Sequence, residues 1–424
     1  MTTFLVPDMA PYVNYLPTKP QPSNRRVTST GGNGAAISAP GGQGGSSGTT
    51  NPTVDMRAAI AQVGQRLKAQ GFEFLPWQLA AYITAVRTKP FVILAGISGT
   101  GKTKLPRLVA EATGARYHVT PVRPDWNDSG DLLGYTKLDD HFVPGPLLMA
   151  AKHAQENPTE QHFFLLDEMN IARVEYYLAE VLSRLEDRFV DGSGVLTSDP
   201  LLPGAGTTDT ESGPCDWSQV RLPSNLCLVG SVNMDETTYG FSRKVLDRAF
   251  VIEFSTISLE SVGAVASTLP APVSWSASAW AAGALSLAQH PEAQGDVVGR
   301  VITALTEINK ILEAAQMQVG YRVRDEVALF CLAARDAADE FADADQGQMD
   351  ALDLAIAMKV LPRIQGSTAT IGTILDKLEA WATPQVTLGQ GAAGDLQSGF
   401  TICADRIRMM KHRLSETGFT SYWL

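Results

Sequence analysis

Short, continuously apolar runs, each ending in a polar cluster, punctuate the first half of the chain. Phe91–Leu94 runs into a glycine-rich segment, Gln161–Leu166 into two adjacent carboxylates, and Asn225–Val232 into an amide. A strand buried on both faces of a parallel sheet reads as such a run rather than as an alternation. Around these runs apolar residues recur at helical spacing. Met56, Ile60, Val63 and Leu67 predict one helix, and Lys104–Thr113 a second. Pro146 to about Gln155 predicts a third. Val174, Tyr177, Leu178, Val181, Leu182 and Leu185 predict one amphipathic helix, with Arg184, Glu186, Asp187 and Arg188 mostly outward.

Beyond Phe254 the strand signals stop. Helices are predicted over 277–288, 297–316, 325–341, 352–364, 371–382 and 403–414. The pattern therefore divides the chain into an α/β core over 55–254 and an all-helical domain over 255–424. Residues 1–54 form a low-complexity tail rich in Gly, Ser, Thr, Ala, Asn and Pro, with little to bury, and are expected to be disordered. Residues 119–135 read as an irregular stretch after a short strand. Residues 191–218 read as a long polar loop, a length that is usually functional or disordered.

Composition narrows the function class. The 424 residues are 44% hydrophobic and 19% charged, enough for a sizeable core. A net charge of −11 argues against a protein that coats nucleic acid by itself. Four cysteines, Cys215, Cys227, Cys331 and Cys403, are widely separated and lack metal-site spacing, as expected for reduced thiols of a cytoplasmic protein. No apolar run approaches the length needed to span a membrane.

The chemistry concentrates where the apolar runs end. Gly96-Ile97-Ser98-Gly99-Thr100-Gly101-Lys102-Thr103 has the phosphate-binding pattern between a predicted strand and a predicted helix. A loop there lets backbone N–H groups surround a polyphosphate at a helix N-terminus. Lys102 would reach the β- and γ-phosphates and Thr103 would hold Mg²⁺. Asp167 would join the Mg²⁺ shell, and Glu168 would polarise an attacking water. Asn233, a neutral amide at the end of the third run, could orient that water. Arg243 and Arg248 follow in Phe241-Ser-Arg-Lys-Val-Leu-Asp-Arg248. An arginine on such a loop can reach a neighbouring subunit's γ-phosphate. Trp77 and Gln78 lie in the lead-in to the first strand, where a base could be covered, although packing is an equal role for them.

Taken together, GISGTGKT (96–103), LLDEMN (165–170), LVGSVNMDETT (228–238) and FSRKVLDRAF (241–250) resemble the AAA+ ATPases. Within them the McrB-like branch near the MoxR proteins is the most similar. DLLGY (131–135), VPGPL (143–147), GYRVRDE (320–326) and GFTSYW (418–423) resemble the same group. The resemblance implies a P-loop NTPase core with a parallel sheet, followed by an all-helical lid domain. It also implies a homo-oligomeric ring, usually hexameric, with nucleotide between subunits. Lys102, Thr103, Asp167, Glu168 and Asn233 match the family's phosphate, metal and water-positioning residues. Arg248 matches the finger given to the neighbouring site, with Arg243 in reserve. Arg322 or Arg324 matches the arginine that reports the γ-phosphate to the lid.

GTP-using McrB proteins carry Met-Asn-x-x-Asp at the third strand. Here Val232 replaces the Met and Glu236 the Asp. ATP is therefore the expected nucleotide, with GTP the alternative. The function implied is a Mg²⁺-dependent motor that drives a separate McrC-like nuclease subunit in antiviral DNA restriction, meeting DNA through the complex. A MoxR-type protein-remodelling ATPase, or a nucleotide-gated scaffold with little turnover, are the competing readings.

Overall fold

The computed structural model describes residues 55–423, apart from 193–194, 211–212, 235–238, 256–264, 282–283, 285, 344–346 and 384–398. The low-complexity tail and the Asp235–Glu236 positions thus lie outside the described residues.

Five parallel strands form the central sheet: β1 (Phe91–Gly96), β2 (Arg116–Pro121), β3 (His162–Asp167), β4 (Leu226–Asn233) and β5 (Phe250–Glu253). Their order is β5-β1-β4-β3-β2. The apolar runs fall on the strands that the pattern predicts, and Phe91–Ala95 are fully buried. The register sets Gly96 opposite Asn233. It also brings Pro121 opposite Asp167. All the polar strand ends therefore emerge along one edge, the carboxyl edge at which open α/β sheets bind ligands. Helices α1 (Met56–Ala69), α2 (Pro76–Thr88), α3 (Lys104–Thr113) and α4 (Pro146–Glu156) belong to this half. Pro at the first turn favours the starts of α2 and α4, because the missing N–H has no partner in a helix anyway. Gly114, at φ 75°, ends α3 in the left-handed conformation.

The second half is helical: α6 (Asp296–Leu312), α7 (Tyr321–Ala334), α8 (Ala351–Lys359), α9 (Ala369–Ala382) and α10 (Thr401–Thr417). Among the described residues no helix is long and apolar enough to cross a membrane. All four cysteines are buried and reduced. Desolvation pushes each thiol above its ordinary range.

Several predicted elements take a different form. The single helix expected across 174–185 breaks at Leu178 into Val174–Tyr177 and α5 (Ala179–Glu186). The break follows Tyr177, whose ring is buried and whose hydroxyl donates to the Met169 carbonyl at 2.8 Å. The polar 191–218 stretch is organised rather than an open loop. Phe189–Val190 pairs with Leu196–Thr197, and Thr207–Thr210 with Gly213–Asp216. A buried Trp217 anchors the second hairpin by donating its indole N–H to Thr208 Oγ1 at 2.7 Å. Within 119–135, Gly130–Leu133 is helical. Gly134–Thr136 then pairs with Phe142–Pro144. Within the 277–288 prediction, α-helix runs over Ala277–Trp280 and stops at the extended Ala281, and a 3₁₀ turn begins at Leu287. Trp280 turns inward there, packing on Trp275 at 4.9 Å and Phe163 at 5.1 Å.

One buried ion cluster joins the halves. Lys359, at the end of α8, is fully buried. Its Nζ donates to the carbonyls of Asp247 and Ala249 at 3.0 and 2.9 Å. It also pairs with Glu326 of α7 at 2.5 Å, while Lys89, just after α2, holds the other carboxylate oxygen at 2.9 Å. Burial opposes the Glu326 charge, but Lys359 and Lys89 prevail and hold its carboxyl below the usual range. Removing one partner of such a cluster leaves an uncompensated buried charge, at a cost of about 3–5 kcal/mol. Lys359→Ala is therefore expected to lower the unfolding free energy by about 3 kcal/mol or more, measured by urea denaturation. A loss below about 1 kcal/mol would show that Lys89 alone satisfies Glu326.

Candidate functional site

Between β1 and α3 the chain turns through Ile97–Thr103. A Cβ on Gly96 would run into the Phe254 carbonyl, and Gly101 sits at φ 88° with the Phe74 ring 3.2 Å from where a Cβ would be. Both positions therefore need glycine. Ser98 and Gly99 are exposed at the tip, and Thr100 Oγ1 donates to the Ile97 carbonyl at 3.0 Å. Lys102 is buried and curls over the loop. Its Nζ donates to the carbonyls of Gly96 and Ile97 at 3.0 and 2.5 Å. Burial lowers its pKa, while Asp167 and Glu168 pull it back up.

Asp167 is the centre of the site. One of its carboxylate oxygens accepts from Thr103 Oγ1 at 2.9 Å and from Ser231 Oγ at 2.5 Å. Ser231 Oγ in turn accepts the backbone N–H of Glu168 at 2.9 Å. Glu168 is held in the left-handed region, at φ 53° and ψ 48°. A non-glycine residue pays about 1–3 kcal/mol for such a conformation, and strain of this kind collects at functional positions. The turn carries the Glu168 carboxylate toward β4, where Asn233 Nδ2 donates to its Oε1 at 3.1 Å. Asn170 braces the far side by donating to the Asn233 carbonyl at 3.2 Å. Loop, β3 and β4 are thus tied into one hydrogen-bonded line from Thr103 to Asn233.

These groups open on a cleft of about 580 Å³. Ser98–Lys104, Asp167, Glu168, Ser231 and Asn233 line it together with Gly71–Phe74. The cleft size suits a mononucleotide, since ligand pockets commonly span about 300–1,000 Å³. Phe72 and Phe74 supply an aromatic wall where the sequence pointed to Trp77 and Gln78. Gln78 instead accepts the Leu75 N–H at 3.1 Å and caps α2. Trp77 packs against the core and does not line the cleft.

The four arginines lie outside the cleft lining. Arg248 pairs with Glu186 and donates its Nε to the Leu182 carbonyl at 3.0 Å. Arg322 pairs with the same Glu186 from the first turn of α7. Burial, with Arg322 alongside, lowers the Arg248 pKa. Arg243 is exposed, and its Nη1 lies 3.3 Å from the Gln316 carbonyl. Arg324 donates from Nε to Asp325 at 2.8 Å.

Sequence reasoning missed Ser231. Its signal was a lone hydroxyl in an apolar run, two residues before Asn233 and so on the same strand face.

The strand order, the phosphate-type loop and the helical half behind it define an AAA+ core followed by a helical lid. Residues 91–200 match the AAA domain (dynein-related subfamily), and residues 277–419 match a domain of unknown function (DUF8727). A solved structure of a candidate ATPase from Cytophaga hutchinsonii is 15% identical to this chain. The alignment covers 73% of this chain and 86% of that one, at a TM-score of 0.39. No curated protein matches the sequence.

Ser231→Ala would strip Asp167 of one donor and leave the Glu168 N–H without its acceptor. The expected outcome is a loss of about 1–3 kcal/mol in unfolding free energy, read by urea denaturation, with Ser231→Thr recovering most of it. Equal stability in Ser231→Ala would mean that the line from Thr103 to Asn233 is not cooperative.

Proposed function

We propose that this chain hydrolyses ATP, or GTP, in an oligomeric AAA+ ring. The observation that carries this reading is the hydrogen-bonded line Thr103–Asp167–Ser231–Glu168–Asn233, set beside Lys102 in one cleft. Thr103 Oγ1 and an Asp167 oxygen already face each other at 2.9 Å, a donor pair that fits Mg²⁺. Mg²⁺ bound there would neutralise charge on the β- and γ-phosphate oxygens. Lys102 would leave the loop carbonyls for the phosphates. Glu168 is exposed and aimed into the cleft, where its carboxylate can take a proton from water while Asn233 fixes its orientation.

Among the described residues no arginine lines the cleft, and this supports completion of the site by a neighbouring subunit. Arg248 is the finger in this reading, with the more exposed Arg243 as the second candidate. The Glu186 pair brings Arg322 to the same surface, so both guanidiniums would meet the neighbouring subunit's nucleotide. Turnover should then rise with protein concentration.

Turnover would serve a partner. Trp423, in the GFTSYW segment, packs on Phe241 of the FSRKVLDRAF segment at 5.5 Å. Two of the segments that carry the resemblance thus meet beside Asn233, and in this reading the motor licenses a separate McrC-like nuclease.

Lys102→Ala is expected to abolish binding of a fluorescent nucleotide. Glu168→Gln should bind but turn over at least about 100-fold more slowly. Loss of the finger should cost about three to five orders of magnitude in kcat with binding retained. Arg248→Ala and Arg243→Ala, assayed separately, identify the finger, and normal turnover in both rejects a shared site. DNA cleavage by the chain plus the product of its neighbouring gene should stop with Lys102→Ala. Cleavage that persists rejects licensing, and absence of any cleavage by the parent pair favours protein remodelling.

A further inference from the structure

The opposite end of β3 carries a cluster that the nucleotide chemistry does not use. Alternate residues of a strand share a face, and β2 pairs with β3 so that His118 lies opposite Phe164. His118 and His162 therefore stand on one side of the sheet. Helix α4 packs on β3 and adds His153. The His118 and His162 rings stack with centroids 5.4 Å apart and planes 8° from parallel. His118 Nε2 lies 3.2 Å from His162 Nδ1. The His153 ring meets the other two edge-on, at 6.2 and 5.2 Å. One nitrogen from each ring lies within 4.8 Å of the other two.

Packing alone is a poor account of three imidazoles here. His162 is fully buried, and its Nε2 has no hydrogen-bond partner. A phenyl ring would fill the same place without burying ring nitrogens. Among the described residues the carboxylate acting on His162 is that of Glu160, and it is engaged by Arg116 at 2.8 Å.

We propose that His118, His153 and His162 bind a divalent transition-metal ion of the Zn²⁺ class, with one coordination position open toward solvent. Zn–N bonds of about 2.0–2.1 Å place tetrahedral ligand nitrogens about 3.3 Å apart. The 3.2 Å His118–His162 pair already has that spacing. His153 is exposed, and its ligand nitrogen needs to move by at most about 1.5 Å to reach that spacing. Three imidazoles favour Zn²⁺, Ni²⁺ or Cu²⁺ over Mg²⁺. The site is also about 16 Å from Asp167 along the strand, so it stands apart from the proposed Mg²⁺ position. A bound ion would clamp the edge strand, its neighbour and α4 together.

The test uses untagged full-length protein, stripped with chelator and titrated with Co²⁺ and then Zn²⁺. One equivalent of Co²⁺ should bind with the visible absorption of a four- or five-coordinate nitrogen site. Zn²⁺ should displace it and raise Tm. His153→Ala, at an exposed position, should weaken binding at least about tenfold and leave nucleotide affinity unchanged. Absent absorption, or equal affinity in His153→Ala, overturns the proposal. So does binding that survives His153→Ala but is lost in Asp167→Asn, which would place the ion at the phosphate loop.

Discussion

A single carboxylate oxygen of Asp167 accepts two hydroxyl donors, one from the glycine-rich loop and one from β4. That convergence fixes the site. Three segments distant in sequence must arrive within hydrogen-bond reach of one another, and only a sheet ordered with β4 between β1 and β3 brings them there. The strained backbone at Glu168 follows from the same constraint. Its N–H is spent on Ser231, so the turn must be left-handed to return the side chain to Asn233.

The fold was legible wherever burial on both faces left an unbroken apolar run. β1, β3 and β4 are of this kind, and so the polar residues at their ends could be grouped before any coordinates. Legibility failed where tertiary anchors override local pattern. The hairpins within 189–216 are polar in composition, and the second is organised by Trp217, which reaches Thr208 and, far away in sequence, Phe142. The helix at 277 stops because Trp280 seats against Phe163, far away in sequence. Phe72 and Phe74 lay just upstream of the residues singled out for the cleft wall. Periodicity cannot say which turn of chain faces a ligand. The histidine cluster was invisible for a related reason: its members are joined by register and helix packing, not by spacing.

Glu186 illustrates how the core and the helical half share their electrostatics. It lies at the end of α5 and binds guanidiniums from the segment before β5 and from the start of α7. Lys359 grips the carbonyls on either side of Arg248. The position of Arg248 is thus set jointly by both halves, and a rotation of the helical half would be felt there first.

The seclusion of the four thiols has a practical consequence. Alkylating reagents attack thiolate, and each native cysteine is buried with its thiol pushed above the ordinary range. The natural chain is therefore a silent background for spectroscopy. A single cysteine placed on the surface of α5 or α7 would take a fluorophore or spin label selectively, so distances between the halves can be followed in solution without first removing any native residue.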